Sequence, residues 1–250
     1  MADEPAKVSL YQQEEQEALS PESAFHFQCH AGLNCFNRCC RTPTILLSPY
    51  DLLRLKQALG TTTGEILARY TLRGTEEASN LPLIFVDAYR SPDGGCPFLG
   101  PEGCAVYAHR PAACRLFPIT MGSQLTEQGL VDYYFCRRLD YCEGFAAGHE
   151  WTVASWQADQ GFPEFDQGRR EWLEILLKTG IKGPVGTGMQ DLVATSAYDL
   201  DQFRKVVLAP GFSGPPALDD QSREELETDD VALLKYSYRY LKALLLPEDA

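Results

Sequence analysis

Nine cysteines occur in this chain, yet no two of them form a Cys-x-x-Cys pair. That absence excludes ribbon-type zinc sites, thioredoxin-like redox motifs and ferredoxin-type runs. A radical-SAM triplet fails too: Cys35 and Cys39 have its opening gap, but Thr42 stands where its last cysteine belongs. There is no cysteine after Cys142, no apolar run of membrane length, and no basic-then-apolar leader at the N-terminus. Basic charge is scarce as well. Twenty-two Lys and Arg face 35 Asp and Glu, for a net charge of −13. Such a balance repels phosphate backbones and anionic lipid, so neither nucleic acid nor a membrane is an expected partner. No Ser-His-Asp set, phosphate loop or carboxylate pair stands out. The expected location is cytoplasmic, where disulfides are rare and clustered thiols bind metal or carry redox chemistry.

What the sequence does have is thiol in three groups: Cys29, Cys35, Cys39 and Cys40; then Cys96, Cys104 and Cys114; then Cys136 and Cys142. The run from Phe25 to Arg41 has no apolar periodicity of its own, so packing alone would not fix its shape. Thiolates are soft ligands for zinc or iron-sulfur clusters, and a metal is the expected staple. Neighbouring side chains diverge, which makes one shared metal awkward for Cys39 and Cys40 and lets the two serve different sites. Eight thiols make two four-ligand sites, or one multinuclear centre with spares, and spacing does not choose between these. A four-thiolate centre gains from nearby cations and N–H donors. Arg38 and Arg41 flank the vicinal pair and Arg110 and Arg115 bracket Cys114, and they read equally as such cations or as surface arginines. His26 and His30 read as solvent-facing neighbours of Cys29, and His109 and His149 as structural.

The expected fold class is α+β: a small metal-stapled, cysteine-rich domain of short strands and loops, followed by a mostly helical C-terminal part. Residues 1–24 read as an acidic flexible leader, 25–150 as the metal-binding domain and 151–250 as a helical region packed on it. Ser48-Pro49-Tyr50-Asp51 opens a helix closed by Gly60, and Thr62 with Glu65 opens a second. Leu83 to Val86 is a short strand, and Ser91 to Gly95 is turn chemistry. Prolines and glycines between Cys96 and Pro118 forbid a long helix and suit knuckle-like turns whose N–H groups point at sulfur. Ile119 to Met121 and Leu130 to Phe135 read as two strands. Further helices are expected at about 152–160, 164–179, 200–208 and 228–246, with Gly- and Pro-rich connectors at 183–188 and 210–216. The aromatics Tyr198, Phe203, Tyr236, Tyr238 and Tyr240 belong to the core.

At these residues the sequence resembles the YkgJ-type cysteine-cluster family, described as zinc- or iron-chelating and often labelled an iron-sulfur oxidoreductase. The resemblance rests on Cys29, Cys35, Cys39-Cys40, the run Leu47 to Leu55, Cys96-Pro97-Phe98-Leu99, Gly103 to Tyr107, Arg110-Pro111, Cys114 to Pro118, and Cys142-Glu143-Gly144 with Gly148. It departs at the first cysteines, whose gaps are five and three where the family pattern has two and two. Cys136 matches no motif and reads as the spare thiol. The resemblance implies metal ligation by Cys29, Cys35, Cys39, Cys40, Cys96, Cys104, Cys114 and Cys142. It favours iron, as an iron-sulfur cluster, for a redox or group-transfer role with a protein or electron-transfer partner. A non-enzymatic, zinc-stabilised interaction module is the alternative. The family also includes flagellin lysine N-methylases, which implies methyl transfer, but no SAM-binding glycine motif is present.

Overall fold

In the computed structural model, residues 7–8, 18–41, 43–89, 94–146 and 148–247 are described. Most of the acidic leader and the first three residues of the 91–95 turn lie outside them. β1 (Lys7–Val8) pairs in parallel with a later strand, and Leu19 bridges to Tyr134. β2 (Ala24–Phe27) then turns Phe25 and Phe27 inward and leaves Ala24 and His26 outside. After the cysteine loop, β3 (Leu46–Leu47) leads into α1 (Pro49–Leu59). Its start is specified locally. Ser48 and Asp51 form a reciprocal capping box, Pro49 occupies the first turn, and Gly60 closes the helix at φ 60°. Thr62 and Glu65 form the same box on α2 (Thr63–Tyr70). Leu52, Leu53, Leu55 and Ile66 are buried between these helices and their surroundings.

α2 runs straight into β4 (Thr71–Glu76), which pairs with β5 (Pro82–Val86). The resulting four-stranded sheet has the order β1-β4-β5-β3. Next come a minimal hairpin, β6 (Leu99–Gly100) and β7 (Gly103–Cys104), and the five-residue helix α3 (Ala112–Leu116). A longer hairpin follows, β8 (Ile119–Thr126) with β9 (Gly129–Cys136), in register from Ile119↔Cys136 to Thr126↔Gly129. β10 (His149–Thr152) returns to pair antiparallel with β2, Trp151 opposite Phe25. A second, smaller core gathers there from Phe25, Phe27, Ile119, Val153 and Trp156. The β2–β10 pair was not foreseen from the sequence, because only its long-range partner turns four residues into a strand.

The rest is helical: α4 (Val153–Asp159), α5 (Phe162–Lys182), α6 (Thr187–Val193), a single π turn at Ala194–Tyr198, α7 (Leu200–Val207), α8 (Asp220–Thr228) and α9 (Asp230–Leu245). Helices α1, α5 and α9 share the main core with Trp172, Tyr198, Phe203, Tyr236, Tyr238 and Tyr240. Four of the helices match the expected positions. α6 and α8 do not, for physical reasons: α6 starts after Gly186 without a side-chain cap, and α8 buries only Leu226, so neither shows an apolar stripe. Among the described residues no helix is long and apolar enough to cross a membrane.

Candidate metal centre

Three loops meet at the end of this scaffold. The first leaves β2 through Gln28, whose N–H donates to the Gly144 carbonyl at 2.9 Å. It closes in a 3₁₀ turn at Arg38–Cys40, entered through Asn37 at φ 63°. That turn brings the two vicinal sulfurs to 4.0 Å from each other. The second loop is fastened to the first by the Cys96 N–H, which donates to the Cys40 carbonyl at 2.8 Å. Gly95 makes this approach feasible: at φ 93°, a Cβ there would stand 2.8 Å from the same carbonyl oxygen. The third loop, bearing Cys142, is pinned against β2 through Gly148, where a Cβ would fall 2.4 Å from the Phe27 nitrogen.

The backbone N–H groups of Phe98, Val106 and Gly144, each two residues on from a cysteine, oppose the rise of the Cys96, Cys104 and Cys142 thiols. Glu143 N–H also reaches the Cys35 sulfur at 3.3 Å. Such donors stabilise thiolate, the form that binds metal. Hairpin pairing sets Cys104 opposite Leu99. Cys114 rides on α3, whose first N–H, that of Ala112, donates to Asp51 Oδ1 at 2.8 Å.

The thiols sort into two neighbourhoods by the charges they feel. Cys29 is pushed up to about 11, first by burial and then by Cys39, Cys35 and Cys142. Cys142 is raised by burial and then by Cys35 and Cys39, against the Gly144 N–H. Cys96, Cys104 and Cys114 are also raised chiefly by burial; Cys114 feels Cys96, Cys104, Asp51 and Cys39, and Cys96 feels Cys104 and Cys39. The vicinal pair divides between them. Cys40 is raised far above an ordinary thiol by its hydrogen bond with Cys39, by burial, and by Cys39, Cys96 and Cys114, while the same bond lowers Cys39. Cys40 thus keeps company with Cys96 and Cys114, whereas Cys39 is felt by Cys29 and Cys142 and also by Cys96 and Cys114. Among the described residues, no three His, Cys, Asp or Glu side chains stand close enough to hold an ion in their present positions.

Cys136 stands apart, at the end of β9 beside the smaller core, where burial raises it and Arg138 opposes. Arg110 and Arg115 are buried ties rather than surface groups. Arg110 donates to the Tyr107 carbonyl at 2.9 Å, and Arg115 donates to the carbonyls of Arg110 at 3.1 Å, Gln160 at 2.8 Å and Ala108. Arg38 is exposed and lies over the Tyr141 ring. His30 accepts the Gly32 N–H on Nδ1, and His26 faces Glu150 at 3.5 Å. A cavity of about 990 Å³ runs past Cys39, Cys40 and Cys114 to Asp51, Trp172 and Tyr198 in the helical half.

Sequence reasoning placed Asp51 as a helix-capping acid and missed its second role at Ala112, 61 residues away. It noticed Gly144 and Gly148 only through a motif, and their reason is steric.

Residues 28–143 match the model of the CxxCxxCC family, whose description reads "putative zinc- or iron-chelating domain". No curated protein and no solved structure matches the chain.

Proposed function

We propose, from the premise that residues 28–143 form a zinc- or iron-chelating domain of the CxxCxxCC type, that this protein holds two thiolate metal centres. One takes Cys29, Cys35, Cys39 and Cys142; the other takes Cys40, Cys96, Cys104 and Cys114. The observation that carries the reading is how the loops are fastened: the Cys96 N–H is tied to the Cys40 carbonyl at 2.8 Å, whereas the N–H of Glu143, next to Cys142, reaches the Cys35 sulfur at 3.3 Å, with the vicinal sulfurs 4.0 Å apart between them. The donor chemistry fits. All-thiolate sets of four with N–H groups aimed at sulfur suit an iron-sulfur cluster or a structural zinc.

Iron-sulfur is the primary reading, with a redox or group-transfer role. Cys29 and Cys39 are exposed, so the first centre has an open edge at which an electron partner can approach. When bound, a cluster would supply reversible one-electron chemistry. The cysteines would hold it, the Glu143 N–H at the Cys35 sulfur would support its ligand, and the Phe27–Phe117 pair would limit water on its inner side. The zinc alternative is favoured by one observation: Cys40, Cys96 and Cys104 tie together two loops with little core of their own, which a silent closed-shell metal would staple equally well.

Anaerobic purification, followed by a visible spectrum and counts of iron, acid-labile sulfide and zinc on one sample, tests the reading. A brown protein with matched iron and sulfide supports clusters, and a colourless one with two zinc ions per chain supports the alternative. Full metal retention in Cys40→Ala, Cys104→Ala and Cys114→Ala alike would sink the ligand assignment.

A further inference from the structure

Asp51 is 1 % exposed, yet its carboxylate accepts three hydrogen bonds across two helices. Oδ2 accepts the Ser48 N–H at 2.8 Å and the Ser48 hydroxyl at 2.7 Å, which closes the α1 capping box. Oδ1 turns the other way and accepts the Ala112 N–H at 2.8 Å. Helix α3 has Pro111 at its N-cap and no side-chain cap of its own. A proline carries no group that could satisfy the first free N–H. The missing cap therefore comes from α1, in trans, through a buried carboxyl oxygen that accepts the Ala112 N–H. Cys114 lies two residues beyond Ala112 on this single helical turn. A helix of five residues has too little structure to hold a direction by itself.

We propose that Asp51 is the positioning residue of the second metal centre: by capping α3 from α1, it fixes the direction in which Cys114 presents its sulfur to Cys40, Cys96 and Cys104. The inference rests on the two-centre reading above. It ties the centre to the helical scaffold, since α1 packs on α5 and α9. Breaking the Asp51–Ala112 bond should weaken one centre and spare the other.

The test uses the full chain, stripped of metal and titrated anaerobically with cobalt(II), whose thiolate charge-transfer band counts the centres. Wild type should take up two equivalents. In Asp51→Ala the second equivalent should bind roughly ten- to hundredfold more weakly, the effect of leaving the buried Ala112 N–H unsatisfied, with the first unchanged. Asp51→Asn keeps an oxygen for Ala112 and should fall between. Ser48→Ala damages the α1 cap but leaves the Ala112 bond, so it should lower thermal stability and keep both equivalents at wild-type affinity. Should Asp51→Ala not fold, Ala112→Pro removes the N–H that Asp51 accepts, at a first-turn position that proline tolerates, and should weaken the same equivalent. The proposal is overturned if Asp51→Ala or Ala112→Pro binds both equivalents as wild type does, or if Ser48→Ala loses the second as readily as they do. Uptake of a single equivalent by wild type refutes the two-centre reading instead; the positioning role then stands or falls on whether that one equivalent weakens in Ala112→Pro.

Discussion

Cys29 shows how one thiol couples folding to pH. Burial and the neighbouring thiols push it up to about 11 from an ordinary value of 9.0. A group with a raised folded pKa contributes stability that is complete below the unfolded value and is lost as pH climbs through the folded one. The metal-free protein should therefore lose stability between pH 9 and 11, readable as a falling melting temperature. Metal binding reverses the sign, because ligation needs the thiolate and releases its proton. Affinity for zinc should fall as pH drops from 8 towards 6, by about tenfold per pH unit for each proton released. The vicinal pair gives a sharper residue-scale prediction. Cys39→Ala and Cys40→Ala should each lower bound metal by one centre, and the double variant by both. Equal, complete loss in either single variant would mean one shared centre.

At the scale of elements, the loops are held by contacts that leave no room. Gly148 lies so close to β2 that a Cβ would meet the Phe27 nitrogen, Cα and carbonyl carbon at 2.4 to 2.7 Å. Backbone on both sides cannot yield as a flexible side chain would. Gly148→Ala should part β10 from β2, cost about 2 kcal/mol or more, and release metal from the set containing Cys29 and Cys142 before the other. Differential scanning calorimetry with a metal count after dialysis measures both. By contrast Gly60→Ala, at a helix end with open space around it, should cost only about 1 kcal/mol through its left-handed φ and leave metal content unchanged.

For the whole molecule, two cores divide the labour. The main core spans α1, the four-stranded sheet and the C-terminal helices, whereas the smaller one lies under the first cysteine loop. Removing metal with a chelator should therefore loosen residues 28–41, 94–118 and 137–146 far more than α5 and α9. Hydrogen exchange would show protection lost in those loops and retained in the helices. Uniform loss of protection throughout would mean that the metal holds up the entire fold. The net charge of −13 adds a further expectation, that affinity for duplex DNA stays undetectable at 150 mM salt.

The amino-acid sequence by itself determined what depends on near neighbours and residue chemistry. It specified the Ser48 and Thr62 helix starts, the Gly60 stop, the β8–β9 hairpin and the aromatic core, because caps, turns and apolar periodicity act over a few residues. It left α6 and α8 unread for want of an apolar stripe. Only the tertiary structure decided which loops meet at the thiols, where the Cys96 N–H reaches the Cys40 carbonyl and the Glu143 N–H reaches the Cys35 sulfur. The same holds for Asp51 and Ala112, and for Gly148 against Phe27. Those contacts join residues far apart in the chain, and no local spacing encodes the approach of two backbones that the rest of the fold has brought together.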